Sequence, residues 1–218
     1  MDNTTLRFSS ILIAFIIVFC APFAASQEVD DETEFSYDIK SPNGPDNWGK
    51  IHPEWRICNK GKLQSPIDLT RKRVQTTSRL RRLDRNYKPA NTTLINRGHD
   101  MMLRWIGGGG HIRINGINYQ LNQVHWHTPS EHTINGRRFN LELHMVHQSR
   151  KGRIAVVGIM YKIGRPDSLL SIVRTVSRAQ VRIIRKAVHD DAEANARPIQ
   201  PLNNRWLKLY RPHDHKNH

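Results

Sequence analysis

Short segments of alternating apolar and polar residues run through the middle of the chain, and turn-forming residues separate them. Such alternation is typical of β-strands that bury one face. The Asn-Gly pairs at Asn115–Gly116 and Asn135–Gly136 favour tight hairpin turns. We therefore predict a mostly antiparallel sheet with strands over residues 92–96, 101–106, 111–114, 118–127, 139–147 and 153–162.

One amphipathic helix is predicted after these strands. Ser177 and Gln180 have the spacing of a capping box. Val181, Ile184 and Val188 then recur at helical spacing, which predicts a helix over residues 178–189. The fold class is therefore α+β and mainly β: a mixed, mostly antiparallel, twisted central sheet with few peripheral helices.

The first 26 residues have the layout of a cleavable secretory signal. Arg7 precedes an apolar run over residues 11–21, and the small residues Ala24, Ala25 and Ser26 follow. The run is about half of the roughly 20 residues that a membrane-spanning helix needs, so we expect no transmembrane anchor. A buried N-terminal helix or an uncleaved anchor is the alternative. We predict cleavage after Ser26.

Export bears on the cysteines and on glycosylation. Cleavage would remove Cys20 and leave Cys58 unpaired, which is unusual in an oxidising compartment. Asn91 begins the triplet Asn-Thr-Thr and is a glycosylation acceptor in an exported chain.

The charge of the chain is uneven. Lys and Arg number 34 against 19 Asp and Glu, a net charge of +15, yet residues 27–39 carry six acidic residues and no basic one. We interpret residues 27–39 as a solvated acidic tail and residues 213–218 as a polar C-terminal tail. The scattered basic clusters indicate either a solvated surface or binding of anionic polymers. Nucleic acid is not an expected partner of an exported protein.

Metal-binding residue types occur on two of the predicted strands. His125 and His127 are two residues apart, so both face the side that Gln123 faces. Glu142 and His144 share a face of the next strand. An isolated His-x-His is more often a pair of exposed histidines. Here Glu142 and His144 have the same spacing on the next strand, and this second pair favours a metal site. Three imidazoles with an open fourth position suit catalytic Zn²⁺, and Gln123 and Glu142 can orient them.

Several longer motifs carry a family resemblance. The motifs are Asn47-Trp-Gly49, Cys58-Asn59, Gln64-Ser-Pro-Ile-Asp68, Asn96-Arg-Gly-His99, Gln123-Val-His-Trp-His-Thr-Pro-Ser-Glu-His132, Glu142-Leu-His-Met-Val-His147, Asn195-Ala-Arg-Pro198 and Gln200-Pro201. With these motifs the chain resembles the α-class carbonic anhydrases of plant type, from about Ser36 to Arg211.

The resemblance implies a carbonic-anhydrase-like fold, a zinc site and a reaction. His125, His127 and His144 would hold Zn²⁺, and zinc-bound hydroxide would attack carbon dioxide to give bicarbonate. His99 matches a solvent-facing proton shuttle, and Glu131 matches the carboxylate that orients a threonine hydroxyl. The apolar positions beside the carbon dioxide pocket are Val146 and Val156. The histidines not counted as ligands are His132, His147, His189, His213, His215 and His218.

The chain departs from the family pattern after about residue 168. A segment with the motif Ser-Leu-Thr-Thr-Pro-Pro-Cys is expected there, but Leu169 to Val176 runs almost directly into Ser177. In the family this segment supplies the threonine partner of Glu131, interior strands, and the cysteine that pairs with Cys58. The domain over residues 40–212 is therefore predicted to be internally shortened. Exon skipping, a gene-model error and a decaying gene are all compatible with this pattern.

Two functions of different classes follow. The first is a carbonic anhydrase whose activity is reduced or lost through the shortening. The second is a non-catalytic exported protein that holds Zn²⁺ or anionic polymers on the same scaffold. The predicted signal leads into the secretory pathway, with either the chloroplast stroma, reached by that route, or the extracellular space as destination.

Overall fold

The computed structural model describes residues 15–18, 34–77, 82–164, 175–188 and 192–210. Eleven strands lie within them: β1 (Phe15–Val18), β2 (Val74–Thr76), β3 (Asp84–Tyr87), β4 (Thr92–Asn96), β5 (Met101–Trp105), β6 (Gly110–Ile114), β7 (Ile117–His127), β8 (Leu141–Ser149), β9 (Ile154–Ile163), β10 (Thr175–Val176) and β11 (Leu207–Leu209). The helices are α1 (Trp48–Ile51), α2 (Ile57–Lys60) and α3 (Arg178–Ala187), with 3₁₀ turns at Pro53–Arg56 and Arg71–Arg73. No helix among these residues is long and apolar enough to cross a membrane.

Nine of the strands form one sheet, and its pairing is mostly antiparallel. The central order is β1-β9-β8-β7-β5-β4, with β6 also paired to β7, β3 to β6, and β10 to β9. The parallel pairs are β10 with β9, and β2 with β11 in a separate two-stranded sheet. The fold class is therefore confirmed.

The core lies on one face of the sheet. Alternate residues of β7, β8 and β9 point to this face, and α3 covers it with Val181 and Ile184. Ser177 and Gln180 form the predicted capping box at the start of α3. The buried core residues are Ile112, Tyr119, Leu121, Val124, Leu141, Leu143, Met145, Ala155, Val157, Tyr161 and Val181.

A bulge in β7 turns the histidines toward the opposite face. Leu121 pairs with His147, but Gln123 pairs with Val146, so one residue of β7 is extra at Asn122. An extra residue reverses which side chains face which side. Odd-numbered Leu121 is therefore in the core, whereas odd-numbered Gln123 and the residues two and four after it face away.

The predicted strands are confirmed, with ends shifted by one or two residues. The strand predicted over 139–147 is found two residues later, and Ile106 lies outside β5. The helix ends at Ala187, because Val188 has extended backbone angles. Strands β2, β3, β10 and β11 carry little alternation and were not predicted. His189 and residues 27–33, 165–174 and 211–218 lie outside the described residues.

The N-terminal region differs from the prediction in two places. Residues 15–18, within the predicted signal, form β1 against β9. The prediction of a solvated acidic tail through residue 39 is wrong for Phe35 to Tyr37. The Phe35 ring lies 5.5 Å from that of Trp48, and the Trp48 indole N–H donates to the Ser36 carbonyl at 3.0 Å. Aromatic packing therefore orders this segment despite its acidic neighbours.

Candidate metal centre

Three histidines from two neighbouring strands meet on the face of the sheet opposite α3. His125 and His127 come from β7 and His144 from β8, where His144 is directly paired with His125. Their ring centroids are 4.7 to 5.2 Å apart. One ring nitrogen from each lies within 4.8 Å of the other two, and all three residues are buried. The structure therefore brings together the three histidines that the sequence predicted.

Each ring has one nitrogen committed to a hydrogen-bond acceptor. Nδ1 of His125 lies 3.0 Å from Oε1 of Gln123, and Nδ1 of His127 lies 2.7 Å from the carbonyl oxygen of Asn195. Nε2 of His144 lies 2.9 Å from Oε1 of Glu142. Because these oxygens only accept, the three nitrogens donate, and the remaining nitrogen of each neutral ring keeps its lone pair for a metal.

Glu142 fixes His144 and a fourth histidine together. Its Oε2 accepts the backbone N–H of His132 at 2.8 Å, and its Oε1 lies 2.8 Å from Nδ1 of His132. Burial alone would raise the pKa of Glu142, but His144 and His132 outweigh it and hold that pKa well below its usual value. The carboxylate is therefore ionised. His132, Glu142 and His144 also form a possible ligand group by distance, but their ligand atoms already bond to one another.

Burial and neighbouring charge act differently on two of the cluster histidines. Burial, followed by His127 and His144, lowers the pKa of His125 well below its ordinary value. Burial would also lower the pKa of His144, but the Glu142 carboxylate raises it above the ordinary value. His125 is therefore neutral, as a metal ligand must be.

Asn195 connects the end of β7, which carries His125 and His127, to the chain near the C-terminus, and no sequence pattern assigned it a role. Besides the His127 contact, its side chain accepts the backbone N–H of Thr128 at 2.8 Å. It also donates to the carbonyls of His99 and Trp126 at 2.8 and 3.1 Å. A separation of 68 residues from His127 leaves no local pattern that reveals this contact.

Glu131 lies beside the cluster. Its Oε1 accepts the backbone N–H of Arg197 at 3.0 Å, and its Oε2 lies 3.7 Å from Nε2 of His127. Within the described part of the chain, no hydroxyl group donates to this carboxylate. The Arg197 side chain donates to Gln64 Oε1 and to the carbonyls of Ser65 and Cys58, at 2.7 to 2.9 Å. Arg197 therefore connects Glu131 to the segment of residues 58–65.

His99 is less exposed than predicted. Its side chain is 12% exposed, and its ring centroid lies 5.2 Å from that of Phe35. Nδ1 is buried and has no hydrogen-bond partner among the described residues. Burial lowers the pKa of His99, although Asp100 opposes the shift. The expectation of a solvent-facing imidazole is therefore wrong for this structure, because the segment at Phe35 covers the ring.

The two predicted apolar positions lie next to each other on the histidine face. Val146 of β8 pairs with Val156 of β9, and both are partly buried. Gly158 pairs with His144, and a Cβ on Gly158 would come 3.0 Å from Oε1 of Glu142. This face therefore combines three nitrogen donors with a small apolar wall.

Two further predicted positions lie away from the cluster. Asn91 is exposed immediately before β4, where its side chain is accessible. Cys58 of α2 is partly buried and is a free thiol.

A curled, mostly antiparallel sheet with three histidines on adjacent strands, each oriented by a buried acceptor, defines a candidate zinc metalloprotein. A model of the eukaryotic-type carbonic anhydrase family matches residues 43–180. The chain belongs to that family.

Curated relatives match along most of the chain. Alpha carbonic anhydrase 7 of Arabidopsis thaliana is 44% identical over 262 aligned positions, which cover 94% of this chain and 95% of that protein. Alpha carbonic anhydrase 2 of the same plant is 53% identical over 178 positions, covering 79% of this chain and 73% of the relative. Dioscorin DB3L of Dioscorea polystachya is 34% identical, covering 100% of this chain and 99% of its own.

Solved structures agree with this assignment. A dioscorin crystallised with ascorbate has a TM-score of 0.76 and 35% identity, covering 81% of this chain and 99% of its own. The α-carbonic anhydrase of Thermovibrio ammonificans, in complex with the inhibitor sulfanilamide, has a TM-score of 0.71 and 27% identity, covering 80% and 98%.

Proposed function

We propose that this chain binds Zn²⁺ through His125, His127 and His144 and catalyses the reversible hydration of carbon dioxide to bicarbonate, at a rate below that of complete family members. One observation carries the proposal. Each of three buried imidazoles donates a hydrogen bond from one ring nitrogen, and their remaining ring nitrogens lie close together. This donor set fits zinc, which favours nitrogen ligands in a tetrahedral site with one open position in enzymes.

The residues around the site have separate tasks in this reaction. Bound zinc would supply Lewis-acid activation of water, with the bound-water pKa of about 7 known for carbonic anhydrase itself. Gln123, Glu142 and Asn195 orient the ligands. Val146 and Val156 would form the apolar wall that receives carbon dioxide.

We propose that two steps of this reaction are impaired: orientation of the attacking water and transfer of its proton to buffer. Without a hydroxyl partner among the described residues, Glu131 has no group through which to orient the attacking water. A covered His99 with a lowered pKa is a poor relay to buffer. The alignment with alpha carbonic anhydrase 7 runs over 262 positions, whereas this chain has 218 residues, so at least 44 positions have no counterpart here. That difference supports an internal shortening.

A second candidate is zinc or polyanion binding without turnover. The net charge of +15 favours anionic partners, and the dioscorin structure holds ascorbate, which is an anion at neutral pH. Salt-sensitive binding to a sulfated polysaccharide without hydration activity would favour this candidate.

The test is stopped-flow carbon dioxide hydration on the purified product of the full chain, with bound zinc measured on the same sample. Activity proportional to zinc, lost in His144→Ala and kept in His111→Ala, would support the enzyme. His111 is a strand histidine outside the cluster and so gives a matched control. Zinc without activity would favour the second candidate, and absence of zinc from a folded sample would contradict both zinc-binding proposals.

We also propose that the product enters the secretory pathway, is cleaved after Ser26 and carries a glycan at Asn91. The exposure of Asn91 supports its modification. Mass spectrometry of the N-terminus, and of Asn91→Gln with and without a glycosidase, tests both steps. Fluorescent fusions in plant cells separate the chloroplast stroma from the extracellular space.

A further inference from the structure

One side of β9 is covered by a segment that the predicted cleavage removes. Strand β8 pairs with β9 along nearly its whole length. On the opposite side, among the described residues, β1 pairs antiparallel with Ala155 to Gly158, and β10 pairs with Lys162 and Ile163. Strand β1 consists of residues 15–18, which lie inside the predicted signal of residues 1–26.

The hydrogen-bonding groups on that side can be assigned from the ladder. The Ser149 N–H donates to the Arg153 carbonyl at 2.8 Å, and this pair begins the β8–β9 register. Since antiparallel strands use alternate residues for each neighbour, odd-numbered residues of β9 bond to β8. The N–H and C=O groups of Val156 and Gly158 therefore point toward β1.

Without β1, this edge of β9 would combine apolar side chains with unpaired backbone hydrogen-bonding groups. From Ile154 to Tyr161 the strand has no charged residue, and Lys162 is the first. Natural edge strands are usually protected by charges, prolines or bulges, because an unprotected edge is a template for another strand. Once β1 is removed, the N–H and C=O groups of Val156 and Gly158 lie on such an unprotected edge.

We propose that the processed chain associates with a second copy of itself through β9, as an antiparallel pair of β9 strands related by a two-fold axis. The edge already accepts an antiparallel apolar strand in this structure, namely β1. A second β9 offers the same apolar character and the complementary unpaired groups, and a two-fold axis makes the contact self-complementary. The interface goes beyond the zinc chemistry and does not require it.

Net charge opposes this contact. Each chain carries +15, so two copies repel, and salt screens that repulsion while leaving backbone hydrogen bonds in place. Association through β9 should therefore increase from about 0.05 M to about 0.5 M salt. Association driven by opposite charges would decrease instead.

The experiment uses the full chain expressed in a secretory host, with cleavage verified by N-terminal mass, and light scattering coupled to size exclusion. Val156→Pro removes an outward N–H, and proline is tolerated on an edge strand at such a position. Val156→Thr is the matched control, because it keeps the N–H and the β-branched shape. Met160→Pro, also at an outward position, is the second blocking variant should Val156→Pro fail to fold.

We expect the processed wild type and Val156→Thr to have twice the mass of one chain, and a folded proline variant to have the mass of one. Chain purified with residues 1–26 retained should have a smaller dimer fraction in the same buffer. A monomeric processed wild type, dimerisation that weakens with salt, or a dimeric proline variant would each overturn the proposal. Zinc content is measured in parallel, so failure of the zinc site is distinguished from failure of the interface.

Discussion

Replacing Glu142 by Gln tests whether the buried carboxylate holds the metal-binding geometry. Its two oxygens receive three donors: the backbone N–H of His132 and one ring nitrogen each of His132 and His144. Glutamine has one acceptor oxygen and one NH₂ group, so at least one of these donors would face another donor. The charge that favours donation by His144 is lost at the same time.

The expected effect follows from these contacts. An unsatisfied buried donor costs about 1–3 kcal/mol. Loss of a group that orients a ligand typically lowers metal affinity by about 10- to 100-fold. We therefore expect Glu142→Gln to bind zinc about 10- to 100-fold more weakly and to unfold at lower denaturant concentration.

The assay is zinc titration of the full chain against a chromophoric chelator, with urea unfolding of the metal-free protein. Glu54→Gln is the matched control, because Glu54 is an exposed carboxylate in the 3₁₀ turn after α1. Zinc affinity of Glu142→Gln within about threefold of wild type, where the expected loss is at least about tenfold, would refute the reasoning.

Two other predictions concern stability. Asn195→Ala should lower the free energy of unfolding by about 1–3 kcal/mol, because the buried N–H of Thr128 loses its acceptor; urea unfolding measures this, and an unchanged midpoint would contradict it. Burial lowers the pKa of His147 to about 4. Between about pH 6.5 and pH 4, His147 is therefore protonated in the unfolded chain but neutral in the folded chain. Stability should fall by about 3 kcal/mol from this residue as the pH decreases through that window, and His147→Gln should show a correspondingly flatter pH dependence in urea unfolding.

Local patterns were sufficient for β4 to β9 and for the histidine cluster, but not for the shorter strands. The alternation in β7 and β8 depends on residues two apart, and the same spacing places His125 with His127 and Glu142 with His144. The bulge at Asn122 was not predicted, because a single extra residue leaves the alternation on either side intact. It nevertheless decides that Gln123 faces the site rather than the core.

Contacts between distant segments could not be predicted from such patterns. The covering of His99 by Phe35 joins residues 64 positions apart, within a stretch whose acidic composition indicated a tail. Strand β1 is the clearest case. The apolar composition of residues 15–18 suits both a secretory signal and a strand, and the pairing with β9 depends on an edge more than 130 residues away in the sequence.

In the proposed function, zinc binding and catalysis would depend on different parts of this site, so the two should be separable. The acceptors for the three ligands come from β7, β8 and residue 195, and all are in place. In the proposed reaction, Glu131 and His99 would act on the attacking water and its proton. Glu131 has no hydroxyl partner in the described regions, and the His99 side chain is only 12% exposed. Because ligand orientation sets metal affinity while Glu131 and His99 would set turnover, the proposed shortening should lower the rate of hydration more than it lowers zinc affinity. Zinc content near one ion per chain is therefore compatible with slow hydration.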